Sequence, residues 1–155
     1  MIKQNYKYCL PEVQKIGCFV RSCGAVAELF MHKELTATQI NDLWIWGKKS
    51  GNIDLNDNVK HSAPIITKAL KMLEGTGRFI EVATFRNGRL NYYQSVNESL
   101  KQRKKYFIQK IETNGKIGTH FRVVSGDGSL LFDPFFPDVE VKKILYSIAY
   151  VFVEE

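Results

Sequence analysis

Residues 62–85 read SAPIITKALKMLEGTGRFIEVATF, and the fold turns on the change of period inside them. In the first half Ile66, Ala69, Leu70 and Leu73 recur at helical spacing, on a helix that starts near Ser62 with Pro64 in its first turn. Gly75 and Gly77 end that helix. From Phe79 to Phe85 the pattern alternates like a strand. An Asn87-Gly88 turn and a second β-rich run, Leu90-Asn91-Tyr92-Tyr93, follow it and predict a tight hairpin.

Toward the N-terminus the chain reads as helices. Val20, Cys23, Gly24, Ala27, Phe30 and Met31 form one apolar or small-residue face of a buried helix beginning at Cys18, with Gly17 before it and His32-Lys33 in its last turn. Thr36-Ala37-Thr38-Gln39 has capping-box spacing, so a second helix of about three turns is expected through Ile40, Leu43 and Trp44, stopping at Gly47. The Asn- and Asp-rich stretch between Ser50 and Asn58 reads as an exposed loop suited to walling a cleft. Cys9, just before Pro11, falls in a segment expected to be extended.

Toward the C-terminus the chain reads as strands: Tyr106 to Ile111, His120 to Val124, Leu130 to Asp133, and the long run from Ile144 to Val153, β-rich enough to lie centrally. Asn114-Gly115 and Gly126-Asp127-Gly128 supply turns. Helices followed by strands, without βαβ alternation or repeats, predict an α+β fold, with N-terminal helices packed on an antiparallel sheet.

With 155 residues the chain suffices for one hydrophobic core and is short for two, so one domain over 1–155 is expected. Its 45% apolar, 12% aromatic and 25% charged residues exclude a disordered or low-complexity chain. No apolar run approaches the roughly 20 residues of a membrane helix, so no membrane span is expected. The polar N-terminus carries no Sec signal, which points to a cytoplasmic protein, with a non-Sec route such as phage lysis as the means of any release. Cys9, Cys18 and Cys23 have neither CxxC spacing nor clustered histidines, so free thiols are expected and neither a metal nor a cofactor. The net charge of +6 is densest at Lys101-Gln102-Arg103-Lys104-Lys105, which reads as a solvated face.

Three residues converge on one chemistry. A cysteine nucleophile needs a stabilised thiolate, which a helix N-terminus and a nearby imidazolium provide, and Cys18 is placed for both. With the Gly126-Asp127-Gly128 turn centred on Asp127, Phe121 faces Asp133 within a register step, making Asp133 a neighbour of His120. An acid that orients an imidazole through one nitrogen leaves the other to take the thiol proton. Cys23 is the rival nucleophile, but it shares the apolar stripe of Val20, Gly24 and Ala27, where burial keeps a thiol inert.

Gln14-Lys15-Ile16-Gly17-Cys18-Phe19-Val20-Arg21-Ser22, then an apolar helix and Leu35-Thr36, resembles the nucleophile segment of papain-like cysteine peptidases of the bacteriocin-leader-processing type. Gly118-Thr119-His120-Phe121-Arg122-Val123-Val124-Ser125-Gly126 and Leu131-Phe132-Asp133-Pro134 resemble their histidine and aspartate blocks. The resemblance runs from Gln14 to Pro134 and implies a papain-like fold. It also implies Cys18 as nucleophile, His120 as general base, Asp133 as its orienting partner, and Gln14 as an oxyanion-hole donor beside the Cys18 N–H. Only three residues separate Gln14 from Cys18, fewer than is usual in that family, so Gln4 or backbone groups are alternatives for that last role.

The function expected is a cysteine peptidase or amidase working through a thioester acyl-enzyme on a peptide or peptidoglycan-type substrate, with no nucleic-acid partner. A transglutaminase-like acyl transferase is an alternative on the same triad. So is a non-catalytic binding module that uses the basic run and Trp44, Trp46, Tyr92 and Tyr93, although no helix-turn-helix, RNA-recognition or zinc-finger signature accompanies it.

Overall fold

The computed structural model describes residues 1–86, 103–115 and 118–154. Within them α1 (Pro11–Ile16), α2 (Cys18–Met31), α3 (Ala37–Ser50) and α4 (Ser62–Met72) precede β1 (Arg78–Arg86), β2 (Lys105–Thr113), β3 (Thr119–Val124), β4 (Leu130–Phe132) and β5 (Val141–Val153). The strands form one antiparallel sheet in the order β1-β5-β2-β3-β4. Helices segregated from an antiparallel sheet make this an α+β fold. No helix among the described residues is long and apolar enough to cross a membrane.

The period change at Gly75 and Gly77 marks the passage from α4 to β1. Gly77 has φ +87°, and a Cβ there would lie 2.5 Å from the Phe152 ring, so the turn needs glycine for both conformation and space. Two hydrogen bonds stitch α4 to the sheet. The Phe79 N–H donates to Thr67 Oγ1 at 2.9 Å, and the Ser62 and Tyr150 hydroxyls meet at 2.6 Å in the interior. The long C-terminal run is an interior strand, β5, flanked by β1 and β2. β1 pairs with β5, Phe79 opposite Phe152, while the Asn87-Gly88 turn and the run from Leu90 to Tyr93 lie outside the described residues.

Three local expectations need correction. The segment around Cys9 is not extended: Cys9 N–H bonds back to the Tyr6 carbonyl at 2.9 Å, and Pro11 then opens α1. A six-residue helix is too short to show a period, so only the proline at its start marks it. The capping box forms as expected, with Thr36 Oγ1 accepting from the Gln39 N–H and Gln39 Oε1 accepting from the Thr36 N–H. The helix it starts does not stop at Gly47, however; it runs to Ser50 and ends on Gly51 at φ +79°. Gly47 instead makes room for Ile53, whose Cδ1 would lie 2.5 Å from a Cβ there. Ile53 is therefore buried in the core, and the loop, exposed at Leu55, Asn56 and Asn58 as expected, is pinned at this one residue and by an Ile53–Val59 bridge.

At the centre of α2 an ion pair is sealed inside the protein. Arg21 Nη1 meets Glu28 Oε1 at 2.5 Å with both side chains fully buried, Arg21 Nε donates to the Ile2 carbonyl, and Glu28 Oε2 accepts from the Leu35 N–H. Removing one partner strands the other charge in a medium that cannot solvate it. Glu28→Ala is therefore expected to cost about 3–5 kcal/mol, read from the denaturant midpoint, whereas the double variant Arg21→Met/Glu28→Leu should lose markedly less.

Candidate active site

α1 and α2 are separated by Gly17 alone, whose N–H donates to the Val13 carbonyl at 3.0 Å while its own carbonyl accepts from the Arg21 N–H. A Cβ at Gly17 would sit 2.6 Å from the Val13 oxygen, so the sharp junction admits only glycine without a shift. Cys18 is consequently the first residue of a 14-residue helix whose N-cap makes no side-chain hydrogen bond. The first backbone N–H groups of such a helix lack intrahelical partners and carry its positive end. Cys18 is half-buried and lines a cleft of about 410 Å3 together with His120.

His120 comes from the other side of the cleft, at the start of β3 opposite Ile111 of β2. It is fully buried, stacked on Phe135 at 5.1 Å, and its Nε2 lies 2.7 Å from Asp133 Oδ1. Asp133 is itself held on all sides, because Oδ1 also accepts from the Phe135 N–H at 2.9 Å and Oδ2 from the Val139 N–H at 2.8 Å. The hairpin register differs slightly from the symmetric expectation. Val123 pairs with Phe132 and Val124 with Leu130 across a bulge, and β4 ends one residue before Asp133. The aspartate reaches the histidine from the turn that leaves the strand.

With Nε2 committed to Asp133, the ring nitrogen left for Cys18 is Nδ1, which is buried and has no partner meeting hydrogen-bond geometry. The Cys18 sulfur nonetheless acts on the charge of the ring and favours its protonated form. Burial opposes a charged imidazole, but the hydrogen bond to Asp133 and the interaction with Cys18 outweigh it and lift His120 to about 9. Burial likewise opposes ionisation of Asp133, yet its bonds from His120, Val139 and Phe135 hold the carboxyl below its usual range. The arrangement suits a ring that carries its proton at neutral pH beside a sulfur at a positive helix end.

The other thiols are in different surroundings. Cys23 is fully buried with its sulfur against the Ser62 carbonyl at 3.8 Å, and desolvation pushes its thiol far up, as its place on the apolar stripe predicts. Cys9 is buried as well, and desolvation raises it despite the field of Arg21. No group of three or more His, Cys, Asp or Glu residues able to hold a metal occurs among the described residues.

Comparison of the chain with known family models, with curated proteins and with solved structures gives no match in any of the three. Cys18, His120 and Asp133 come together. Gln14 does not join them, because its amide nitrogen donates to the Cys9 carbonyl at 2.8 Å and it is absent from the cleft wall. Gln4 is buried with its amide nitrogen on the Val13 and Gln14 carbonyls, and it also lies away from the cleft wall. Of the groups considered for an oxyanion, the Cys18 N–H is the one beside the sulfur.

Asn56 to Val59 form part of the cleft wall, as expected of that loop, which Lys48 staples to α3 through the Asp57 carboxylate and the Asp54 carbonyl. Trp44, which the binding-module alternative needs on the surface, is instead core, since it shares the buried face of α3 with Ile40 and Leu43. Trp46 is half-buried under Lys68, while Tyr92, Tyr93, Lys101 and Gln102 lie outside the described residues. Among the wall residues that sequence reading missed are Lys110 and Tyr146, which only cross-strand register and helix docking bring to Cys18.

The two shifts set a pH window. Raised in the folded state, His120 contributes stability that is complete below its ordinary 6.5 and is lost as pH rises through about 9. Lowered in the folded state, Asp133 contributes above its ordinary 3.8 and loses that contribution as pH falls further. Melting temperature measured from pH 6 to 9.5 should therefore decline more steeply for the wild type than for Asp133→Asn, the two curves converging at the alkaline end. Parallel curves would show that the pair does not titrate in this range.

Proposed function

We propose that this chain is a papain-like cysteine hydrolase of amide bonds, with Cys18 as nucleophile, His120 as general base and acid, and Asp133 as the group that orients the ring. What carries the reading is the convergence of a helix-initial thiol and a buried imidazole on one cleft, the far nitrogen of that imidazole being held by a fully bonded aspartate. His120 Nδ1 holds the proton given up by Cys18, so the sulfur attacks the carbonyl carbon as the thiolate. The Cys18 N–H, at the unpaired helix start, donates to the developing oxyanion. The imidazolium then gives its proton to the leaving amine as the C–N bond breaks, leaving a thioester. A water deprotonated by His120 attacks the thioester, the acid is released, and the sulfur takes its proton back.

The substrate class is a peptide or the peptide portion of a peptidoglycan-like polymer. An amine in place of the water would make the same acyl-enzyme a transferase. The binding-module alternative is weakened by Trp44, which is core rather than surface.

Differential alkylation tests the assignment. At pH 7 iodoacetamide is expected to label Cys18 at least about tenfold faster than Cys9 or Cys23, read by peptide mass mapping, with His120→Ala slowing Cys18 about tenfold or more. Asp133→Asn should slow it less, since the ring would keep a hydrogen-bonding neighbour. Equally slow labelling of all three thiols would sink the proposal.

A further inference from the structure

Antiparallel pairing sets three side chains in a row beside the nucleophile. Lys110 of β2 lies opposite Phe121 of β3 on one side and opposite Tyr146 of β5 on the other. Its ammonium sits 5.5 Å from the Phe121 ring centroid and 5.7 Å from that of Tyr146. Phe19, the residue after Cys18, stacks on Phe121 at 4.0 Å and closes the row against the start of α2. All four line the cleft that holds Cys18 and His120. A lysine held over two rings has its stem packed and its charge presented at a fixed point.

The charges of that cleft do not cancel. Among the described residues its cations besides His120 are Lys110 and the exposed Lys15, in the last turn of α1, and no described carboxylate is in ion-pair contact with either. Among the described residues its one carboxylate is Asp57, which is already paired with Lys48. The charge on His120 is balanced by Asp133 beneath it. A concave, partly desolvated site with two uncompensated cations concentrates anions.

We propose that the cleft selects a substrate with a carboxylate close to the scissile amide, with Lys110 as the specificity-determining residue and Lys15 as a weaker second cation. This deepens the hydrolase reading and rests on it. Among the anions that accompany peptide-type amides the carboxylate is the ordinary one, and a single ammonium on an apolar aromatic floor suits one such charge rather than a dense polyanion. Tyr146 and Phe121 would pack the methylene groups that lead to the carboxylate, while Lys110 meets its oxygens.

Two thiol reagents of the same leaving group and nearly the same size, iodoacetate and iodoacetamide, read the field at Cys18 without a known substrate. The quantity measured is the ratio of their second-order rates at Cys18 in the full chain at pH 7 and low ionic strength. Lys110→Gln is expected to lower the iodoacetate-to-iodoacetamide ratio about threefold and Lys15→Gln by less, while Lys110→Arg keeps the wild-type ratio. Adding 0.5 M salt should bring the wild-type ratio toward that of Lys110→Gln. Lys110→Met, which keeps the apolar stem, serves if the glutamine variant loses its fold. Fast wild-type labelling by iodoacetamide with a ratio indifferent to Lys110 and to salt would overturn this proposal alone. Slow labelling of Cys18 by both reagents would overturn the hydrolase reading and this proposal with it.

Discussion

The buried pair of Arg21 and Glu28 is the constraint on which the site's geometry depends. Arg21 lies one turn after Cys18 on α2, and its guanidinium reaches both Glu28 and the Ile2 carbonyl. The next two residues of that N-terminal segment run to the opposite wall of the site, where Lys3 Nζ donates to the Asp133 carbonyl at 2.6 Å and the Gln4 N–H to the Pro134 carbonyl at 2.7 Å. A continuous chain of charge-assisted and backbone bonds thus ties the helix that carries the sulfur to the turn that carries the carboxylate. A fully buried ion pair is a weak source of net stability, but its strict directional demands make alternative packings of α2 costly. The Arg21 guanidinium and the Lys3 ammonium also both lie over the Phe132 ring, at 4.8 and 4.7 Å, immediately before Asp133.

The same economy of charge recurs around the cleft. Asp133 is buried, and its two backbone donors and the imidazole outweigh the burial and favour its ionised form. With them it fixes which nitrogen of His120 faces outward. Asp57 is likewise neutralised by Lys48, which shapes the loop from Asn52 to Val59 and removes a negative charge from the cleft mouth. Among the described residues the acids of the site, Asp57 and Asp133, are thus both paired, while Lys110 and Lys15 have no carboxylate in ion-pair contact.

Much of this was legible in one dimension. The helix from Cys18 followed from its apolar stripe, the start of α3 from Thr36 and Gln39, and the strands from alternation and glycine turns. The apposition of His120 and Asp133 followed from counting across a hairpin, and it survived a bulge at Val123 and Val124 because a single register step still leaves the two adjacent. Other features were hidden for definite reasons. α1 is shorter than two helical turns, so no periodicity could announce it. Gly47 carries the same letter whether it ends a helix or clears space for Ile53, and only the position of Ile53 distinguishes the two. Gln14 matches a motif in sequence, yet its amide is captured by the Cys9 carbonyl at the entrance to α1.

The α+β order, the helix-initial place of Cys18 and the neighbourhood of His120 and Asp133 follow from the one-dimensional chain, because helix starts and hairpin partners are set by residues close along it. Tertiary structure alone decided that the thiol and the imidazole share a cleft, that Nδ1 is the nitrogen left for the sulfur, and that Lys110 stands between Phe121 and Tyr146 beside them. Those facts join α2 to β3, and β2 to strands on either side of it, across tens of residues. Local propensity carries no information about which distant surfaces meet; packing of the shared core and the sheet register supply it.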